Sequence, residues 1–219
     1  MKKITLFCVS VFLSSILLAQ NLEVEGKAKI IVMDPASATA QPVARESDGT
    51  LSLMSASSSP YSIGDFAHGG VVCWVSLSGD HAKVVSIYEA GGFVWSNLIN
   101  TPVGPAARSD INGAGNTVAI MMQSGHNRSA AQACADLAYG GYDDWYLPSK
   151  DELNDIYLNR FAINPTAVAN GGEGLSDSFH WSSSEEDDNK AWMMKFINGD
   201  QTTELKDNNF VKVRAIRAF

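Results

Sequence analysis

The chain lacks the compact signatures by which catalytic centres are usually recognised. Its four histidines, His68, His81, His126 and His180, are scattered without the HExxH or paired spacing that a zinc site would show. Ser182 to Ser184 have no GxSxG context, and no Cys-His arrangement for a nucleophile is legible. No reaction is therefore expected. Positive charge is also scarce, with 16 Lys and Arg against 24 Asp and Glu and a net charge of -8, which argues against nucleic acid and anionic membrane surfaces as partners. No internal repeat of fixed period is present, which excludes a solenoid or propeller.

Cysteine is rare as well, at three in 219 residues. Cys8 lies in an apolar run from Ile4 to Leu18 that follows Lys2 and Lys3 and ends in the small residue Ala19. This is the pattern of a secretory signal peptide over residues 1–20, and the run is shorter than the roughly 20 apolar residues a spanning helix needs. The chain from residue 21 onward is expected to be secreted or displayed at a surface, without membrane insertion. Removing Lys2 and Lys3 leaves 14 basic and 24 acidic residues, a net charge of -10. Cys73 and Cys134 remain, and an oxidising compartment allows them to pair. Two buried thiols are the alternative, because Cys134 falls on the apolar stripe Ala130, Ala131, Cys134, Leu137, Ala138 of an expected helix.

What is present divides into two parts. Leu22, Val24, Gly26, Ala28 and Ile30 alternate with Glu23, Glu25, Lys27 and Lys29, the period-2 pattern of a half-buried strand, and Thr50 to Met54 suggests a second. Residues 21–54 thus read as a small β segment that cannot bury its apolar face alone. Residues 55–60, SASSSP, read as a linker. From Tyr61 to Phe219 a larger domain follows. Val71 to Val75 and Ala82 to Tyr88 flank the turn Ser78-Gly79-Asp80 as a hairpin, and further short strands are expected at Phe179 to Ser183, Ala191 to Ile197 and Phe210 to Phe219. One helix is expected over Arg128 to Ala138, ended by Gly140-Gly141. A second begins at the capping box of Ser149 and Glu152, with Leu153, Ile156 and Tyr157 as its apolar face. Strands, two helices and strands again give an α+β domain. With Phe219 closing the last expected strand, no anchor is expected beyond it.

Candidate binding residues come from loops and strand ends. Trp95, after Gly91-Gly92-Phe93-Val94 and before an Asn-rich loop, is the aromatic best placed for a ligand contact. Trp145 and Trp181 read as core, whereas Trp192 could stack on a sugar or fill the core. Asp143 and Asp144 are either ligands or turn residues. Glu185, Glu186, Asp187, Asp188 and Asn189 form the densest set of hard oxygen donors, which calcium would accept, but the spacing is not that of an EF-hand and a solvated turn is preferred. In the final strand Arg217 shares the apolar face with Val213, Ala215 and Phe219 and requires a carboxylate such as Glu152 or Asp144. Arg214, on the other face with Lys212, is a candidate ligand contact.

The order of IGDFAHGGVVCWV, the AAxxCxxL helix at Ala130 to Leu137, DDWYLPSKDEL, HWSSSE, Ala191-Trp192 and VRAIRAF resembles the C-terminal domain family of the Legionella collagen-like adhesin. The resemblance covers Tyr61 to Phe219. It implies an architecture similar to C-type lectins and the formylglycine-generating enzyme, with two helices and short antiparallel strands. Cys73 and Cys134 do not match that enzyme's catalytic cysteines, so the likeness implies no activity. The segment NLEVEGKAKI is similar to stalk segments of Bacteroidetes surface proteins and phage tail fibres, which implies oligomers, trimers among them. The family's association with sulfated glycosaminoglycans does not transfer, because the domain from Tyr61 has 11 basic and 19 acidic residues. A secreted binding or adhesion protein for a neutral glycan or a surface protein is the expected function. A structural tip of an extracellular fibre is the alternative.

Overall fold

The run Val71-Val72-Cys73-Trp74-Val75 is apolar on both faces, and its position explains why. In the computed structural model, which describes residues 43–45, 51–53 and 59–219, this run is strand β4 (Gly70–Val75) of a four-stranded antiparallel sheet. The sheet order is β3 (Phe66–Ala67), β4, β5 (Ala82–Val85) and β9 (Ile216–Ala218). Val72 and Val84 point into one core layer with Trp95, Trp145 and Trp181. Val71, Cys73 and Val85 point into a second with Leu153, Ile156 and Ile163. A sheet covered on both faces needs continuous rather than alternating apolar strands. The expected β4–β5 hairpin is present, with Val75 opposite Ala82.

A second antiparallel sheet joins β6 (Phe179–Glu185), β7 (Lys190–Lys195) and β8 (Asp200–Leu205). β8, DQTTEL, was not expected, because its polar, mostly exposed residues carry no alternation. β1 (Val43–Arg45) and β2 (Leu51–Leu53) form a separate hairpin, and β2 falls on the strand expected at Thr50 to Met54. The signal peptide, the strand expected at residues 22–30 and linker residues 55–58 lie outside the described residues.

Four α-helices, not two, are found among the described residues: α1 (Gly113–Met121), α2 (Ala130–Ala135), α3 (Lys150–Leu158) and α4 (Arg160–Ala169). The fold is thus mixed α/β with antiparallel sheets. α2 is shorter than expected and is capped by Ser129, whose hydroxyl accepts from the Gln132 N–H at 2.9 Å. α1 was missed because it begins Gly-Ala-Gly, a poor helical start by propensity. Its first glycine is required by contact: a Cβ on Gly113 would lie 2.4 Å from Glu152 Oε2. α4 was missed because Pro165 stands inside it. Packing compensates, with Ile163 and Ala167 buried four residues apart on one face.

The capping box of α3 is as expected, and its glutamate does more than cap. Glu152 accepts from Ser149 N–H at 2.8 Å, Gly113 N–H at 3.1 Å, Lys83 Nζ at 2.7 Å and the Tyr146 hydroxyl at 3.1 Å, with 4% of its surface exposed. One carboxylate therefore joins α3, α1, β5 and the segment before α3.

Cys73 and Cys134 do not pair. Both are buried free thiols, one in each core layer with the sheet between them, and burial pushes both thiols up from their ordinary value. This corrects the disulfide reading and selects its alternative.

Glu152→Ala removes four hydrogen bonds and leaves Lys83 without its partner, so we expect a loss of about 3–5 kcal/mol in a urea unfolding experiment. Glu152→Gln, which keeps an acceptor for the backbone donors, should cost less.

Candidate functional site

Three of the candidate residues turn out to be structural. Trp95 is fully buried, with Nε1 donating to the Ser182 carbonyl at 2.8 Å. The segment around it is not a free loop: Phe93 N–H donates to the Val211 carbonyl, Trp95 N–H to Lys206, and Ala130 N–H to Val94. The expectation of a ligand contact at Trp95 is therefore corrected. Glycine and asparagine around a tryptophan suggest a loop, but here the backbone is bonded on both sides.

The acidic run divides. Glu185 ends β6 with a fully buried side chain, accepting from Val103 N–H and Gly104 N–H at 2.7 Å each, from Arg108 Nε at 3.3 Å and from Lys206 Nζ at 2.7 Å. Lys206 is itself buried and donates further to the Asp188 carbonyl at 3.0 Å. An ammonium from the chain thus sits among the oxygens that the sequence offered to calcium. Asp187 accepts from Asn189 N–H and Lys190 N–H, which hold its carboxyl below the usual range, so it shapes the turn. Glu186 and Asp188 are exposed, and Asn189 donates to the Asp188 carboxylate. Among the described residues no three His, Cys, Asp or Glu side chains converge as a metal site. Both oxygens of Glu185 are committed, which corrects its place in a calcium set.

Arg214 is buried too. It donates to the carbonyls of Ser86 at 3.1 Å, Gly174 at 2.9 Å and Glu173 at 3.2 Å, and lies 3.9 Å from Glu89. Its burial lowers its affinity for the proton. The expected final strand is regular only over Ile216–Ala218; before it the chain is held by isolated bridges, so Arg214, expected on the face opposite Arg217, is drawn inward as well. Glu89 accepts from His180 Nε2 at 2.9 Å and from the Ser176 hydroxyl at 2.8 Å. Burial alone would raise Glu89, but the contacts with His180 and Ser176 outweigh it and hold the carboxyl at about 2. Arg217 pairs with Asp144, one of the two partners expected for it. Trp192 is half-buried on β7 with the Lys150 ammonium 4.7 Å from its ring centre, and Lys150 in turn bonds Asp110 at 2.8 Å.

What the structure gathers instead is a set of rings at the Tyr139–Tyr142 turn. Tyr139 and Tyr142 exchange backbone hydrogen bonds of 2.9 and 3.1 Å across Gly140 and Gly141, whose φ values of 66° and 85° are those of a tight hairpin turn. The turn packs on the β3–β4 turn so closely that a Cβ on Gly140 would lie 2.6 Å from the Gly69 Cα. Tyr139 meets Tyr88 edge to face at 4.9 Å. Tyr142 lies under the Arg217 guanidinium, 3.8 Å from its ring centre, and its hydroxyl is 3.2 Å from His68 Nδ1. His68 Nε2 bonds the Tyr61 hydroxyl at 2.8 Å, and its ring stacks on Phe219 at 3.9 Å. His68 has a φ of 49°, a left-handed conformation that non-glycine residues adopt at a cost of about 1–2 kcal/mol. An open depression of about 430 Å³ is lined by residues 138–143 and ends at Asp143, whose carboxylate is exposed.

The model of the Lcl C-terminal domain matches residues 89–217. The chain belongs to that family. The match includes the Tyr139–Tyr142 turn, Glu152 and the Glu185–Lys206 pair, and starts after the β4–β5 hairpin. A crystal structure of a fimbrial protein from Bacteroides ovatus ATCC 8483 is similar at 14% identity and a TM-score of 0.49, over 82% of this chain and 48% of that one. This chain thus spans about half the length of that structure. No curated protein matches. No described helix of this Lcl C-terminal domain protein is long and apolar enough to cross a membrane.

Two stability experiments follow from the buried pairs. Lys206→Met leaves Glu185 charged and buried without its main partner, and we expect a loss of about 3–5 kcal/mol in urea unfolding, largely recovered by adding Glu185→Gln. Added calcium should not restore the single variant. The second experiment is a pH series. Glu89 is depressed from 4.5 to about 2, so its contribution is complete above 4.5 and is lost as pH falls toward 2. Asp155 is raised from 3.8 to about 6, first by burial and then by Glu152 and Asp151, so it has the opposite sign and costs stability as pH rises through that window. Unfolding midpoints should show Glu89→Gln removing the acid-side loss and Asp155→Asn stabilising the protein at pH 7.5 but not at pH 4.

Proposed function

We propose that this protein is a secreted or surface-displayed binding protein, non-catalytic, whose ligand is a glycan or another surface protein. The observation that carries this reading is the half-buried ring cluster at the Tyr139–Tyr142 turn, with Tyr88 exposed at its side. Tyrosine offers a large, rigid contact area with a polar tip at low entropy cost, which suits recognition of polar partners. The turn is held by backbone contact with Gly69, so its rings are arranged before any ligand arrives. The leader-like start of the chain and membership of the Lcl C-terminal domain family support an extracellular location. A lectin-like architecture is our reading of the same resemblance.

A catalytic role has little support. His126 Nε2 and the Ser129 hydroxyl are 2.8 Å apart, but Ser129 is buried and its oxygen caps α2. No carboxylate orients the other nitrogen of His126 among the described residues, so the pair lacks the third group of a triad.

A second reading, a structural or assembling component of a fibre, is favoured by a different surface. Leu158, Phe161, Pro165 and Val168 form an exposed apolar stripe along the end of α3 and along α4. Oligomers, trimers included, belong to this reading.

The test is binding of the chain lacking residues 1–20 to arrays of glycans and of secreted proteins. We expect at least one ligand to be bound selectively and to be lost by about tenfold or more in Tyr139→Ala/Tyr142→Ala, with the thermal midpoint kept within a few degrees. Trp192→Ala should bind as wild type. Retained binding in the tyrosine variant, or binding lost only on changing Phe161, would favour the second reading.

A further inference from the structure

Two helices of the domain turn apolar side chains to solvent. α1, GAGNTVAIM, carries no charged residue, although 18% of the chain is charged. A surface helix ordinarily turns charge outward. Ile120 points into the core layer of Trp95 and Trp181, while Ala114, Val118 and Met122, four residues apart along the other side, are exposed. Val118 and Met122 line an open groove of about 410 Å³ with Val103 and Ala106 from the segment before the helix. α4, RFAINPTAVA, has Arg160 as its single charge. Its Ile163 and Ala167 face the second core layer, and Phe161, Pro165 and Val168 form the outward stripe with Leu158. Phe161 is 76% exposed and Met122 78%, so neither is half-covered by its own domain.

Charge indicates what covers these faces. With a net charge of -8, two copies of the chain repel and can approach only where charge is sparse or opposed. None of the residues lining the groove is charged. Beside it runs the acidic turn after β6: Glu185 accepts from Val103 N–H, and Lys206 Nζ reaches the carbonyls of Thr101 at 3.5 Å and Asp188 at 3.0 Å. Glu186 and Asp188 are exposed on that turn, and the nearby cation Arg108 is committed to Glu185. The α4 stripe carries the opposite sign. Arg160 lies over the Tyr157 and Phe161 rings, 3.9 Å and 4.2 Å from their centres, so a cation travels with the exposed phenylalanine. An apolar stripe headed by a cation thus complements an apolar groove flanked by acids.

We infer that the α1 groove of one copy receives the α4 stripe of a second copy, with Phe161 seated against Val118 and Met122 and Arg160 facing Glu186 and Asp188. The inference rests on the second reading above for the stripe, to which it assigns a partner, and uses none of Tyr88, Tyr139 and Tyr142. The two helices belong to core layers on opposite faces of the β3–β4–β5–β9 sheet, so each copy keeps one face free when the other is used. Such a heterologous contact repeats head to tail, as an open chain or, where the rotation closes, a ring. A two-fold pair would instead set Arg160 near Arg160 on the stripe, or acidic turn near acidic turn at the groove. Each face exposes apolar surface on the order of a few hundred Å², the size that marks interaction sites on monomers. Joined, they fall short of the roughly 1,200 Å² of a standard stable interface, so the single contact is weak and concentration-dependent.

The experiment is sedimentation velocity on the chain lacking residues 1–20, from about 10 to about 500 µM, alone and in mixtures of variants. The average mass of the unaltered protein should rise with concentration and pass that of a dimer. Phe161→Asp spoils the stripe and keeps the groove, whereas Val118→Asp spoils the groove and keeps the stripe. Each variant alone should associate about tenfold more weakly or worse. Their equimolar mixture should recover a heterodimer and go no further, because one intact groove then meets one intact stripe. Glu186→Lys/Asp188→Lys should weaken association of the otherwise unaltered chain severalfold. Thermal midpoints within a few degrees of the unaltered protein show that the variants fold; Phe161→Ser and Val118→Ser take their place where a carboxylate prevents folding. Self-association of either aspartate variant alone means like face on like face, which overturns the inference and leaves the assembling reading standing. A mixture that recovers nothing overturns it too. A protein that stays monomeric over the whole range removes both the inference and assembly through this stripe, and a partner of other chemistry then covers the two faces.

Discussion

The Glu152 carboxylate is the interaction on which most of the domain's geometry depends. A buried carboxylate is costly to desolvate, and the cost is offset only when its lone pairs are satisfied and a cation is near. Here Lys83 supplies the cation from the central sheet, while Ser149, Gly113 and Tyr146 supply donors from three other segments. The requirement fixes α3 against β5 and forces the start of α1 close enough to exclude any side chain at residue 113. Cys73, Tyr146 and Asp155 are all raised in part by its charge, so the electrostatics of that core layer follow from the same group.

The same device recurs twice, each time at a place where long irregular chain must be held. Glu185 and Lys206 gather Val103, Gly104, Arg108 and the Asp188 carbonyl, joining the loop before α1 to the β6–β7 turn. Glu89, His180 and Arg214 join the segment after β5 to the start of β6 and to the chain leaving α4. Pairs like these contribute little net stability compared with apolar replacements. Their geometric demand is strict, however, since a misplaced loop would leave a buried charge without partners. A domain rich in loops can in this way be specific without a Cys73–Cys134 disulfide, and both cysteines stay in the core as small apolar side chains.

How much of this was legible follows from which signals are local. The β4–β5 hairpin and the α3 capping box are written in adjacent residues, and both were found where the sequence placed them. Arg217 on an apolar face demanded a carboxylate, and Asp144 answers it. Trp95 and Glu185 were misjudged because burial is a property of what lies across the fold. Nothing next to Trp95 in sequence announces Ser182 or Lys206, and an acidic run looks alike whether its first member points to solvent or to a buried lysine. α1 and α4 violate helix propensity and are rescued by Glu152 and by packing on the second core layer. The tyrosine turn had a local signal that was read as a helix stop: Gly-Gly between two β-prone aromatics is equally a hairpin of the tight, positive-φ kind.

That last ambiguity bears on the site itself. A helix stop would leave Tyr139 and Tyr142 on a flexible connection, whereas the hairpin sets them opposite one another and seats their turn on Gly69. His68, next to that glycine, is held in a left-handed conformation between two tyrosine hydroxyls and against Phe219. Strain of this kind persists only where surrounding contacts over-determine it. The contacts here come from residues 61, 142 and 219, distant in sequence and brought together by β3, β9 and the Trp145 segment. A ring cluster assembled from such separate segments is rigid because the fold is rigid, and the three buried carboxylates that fix the fold therefore also fix the face it presents.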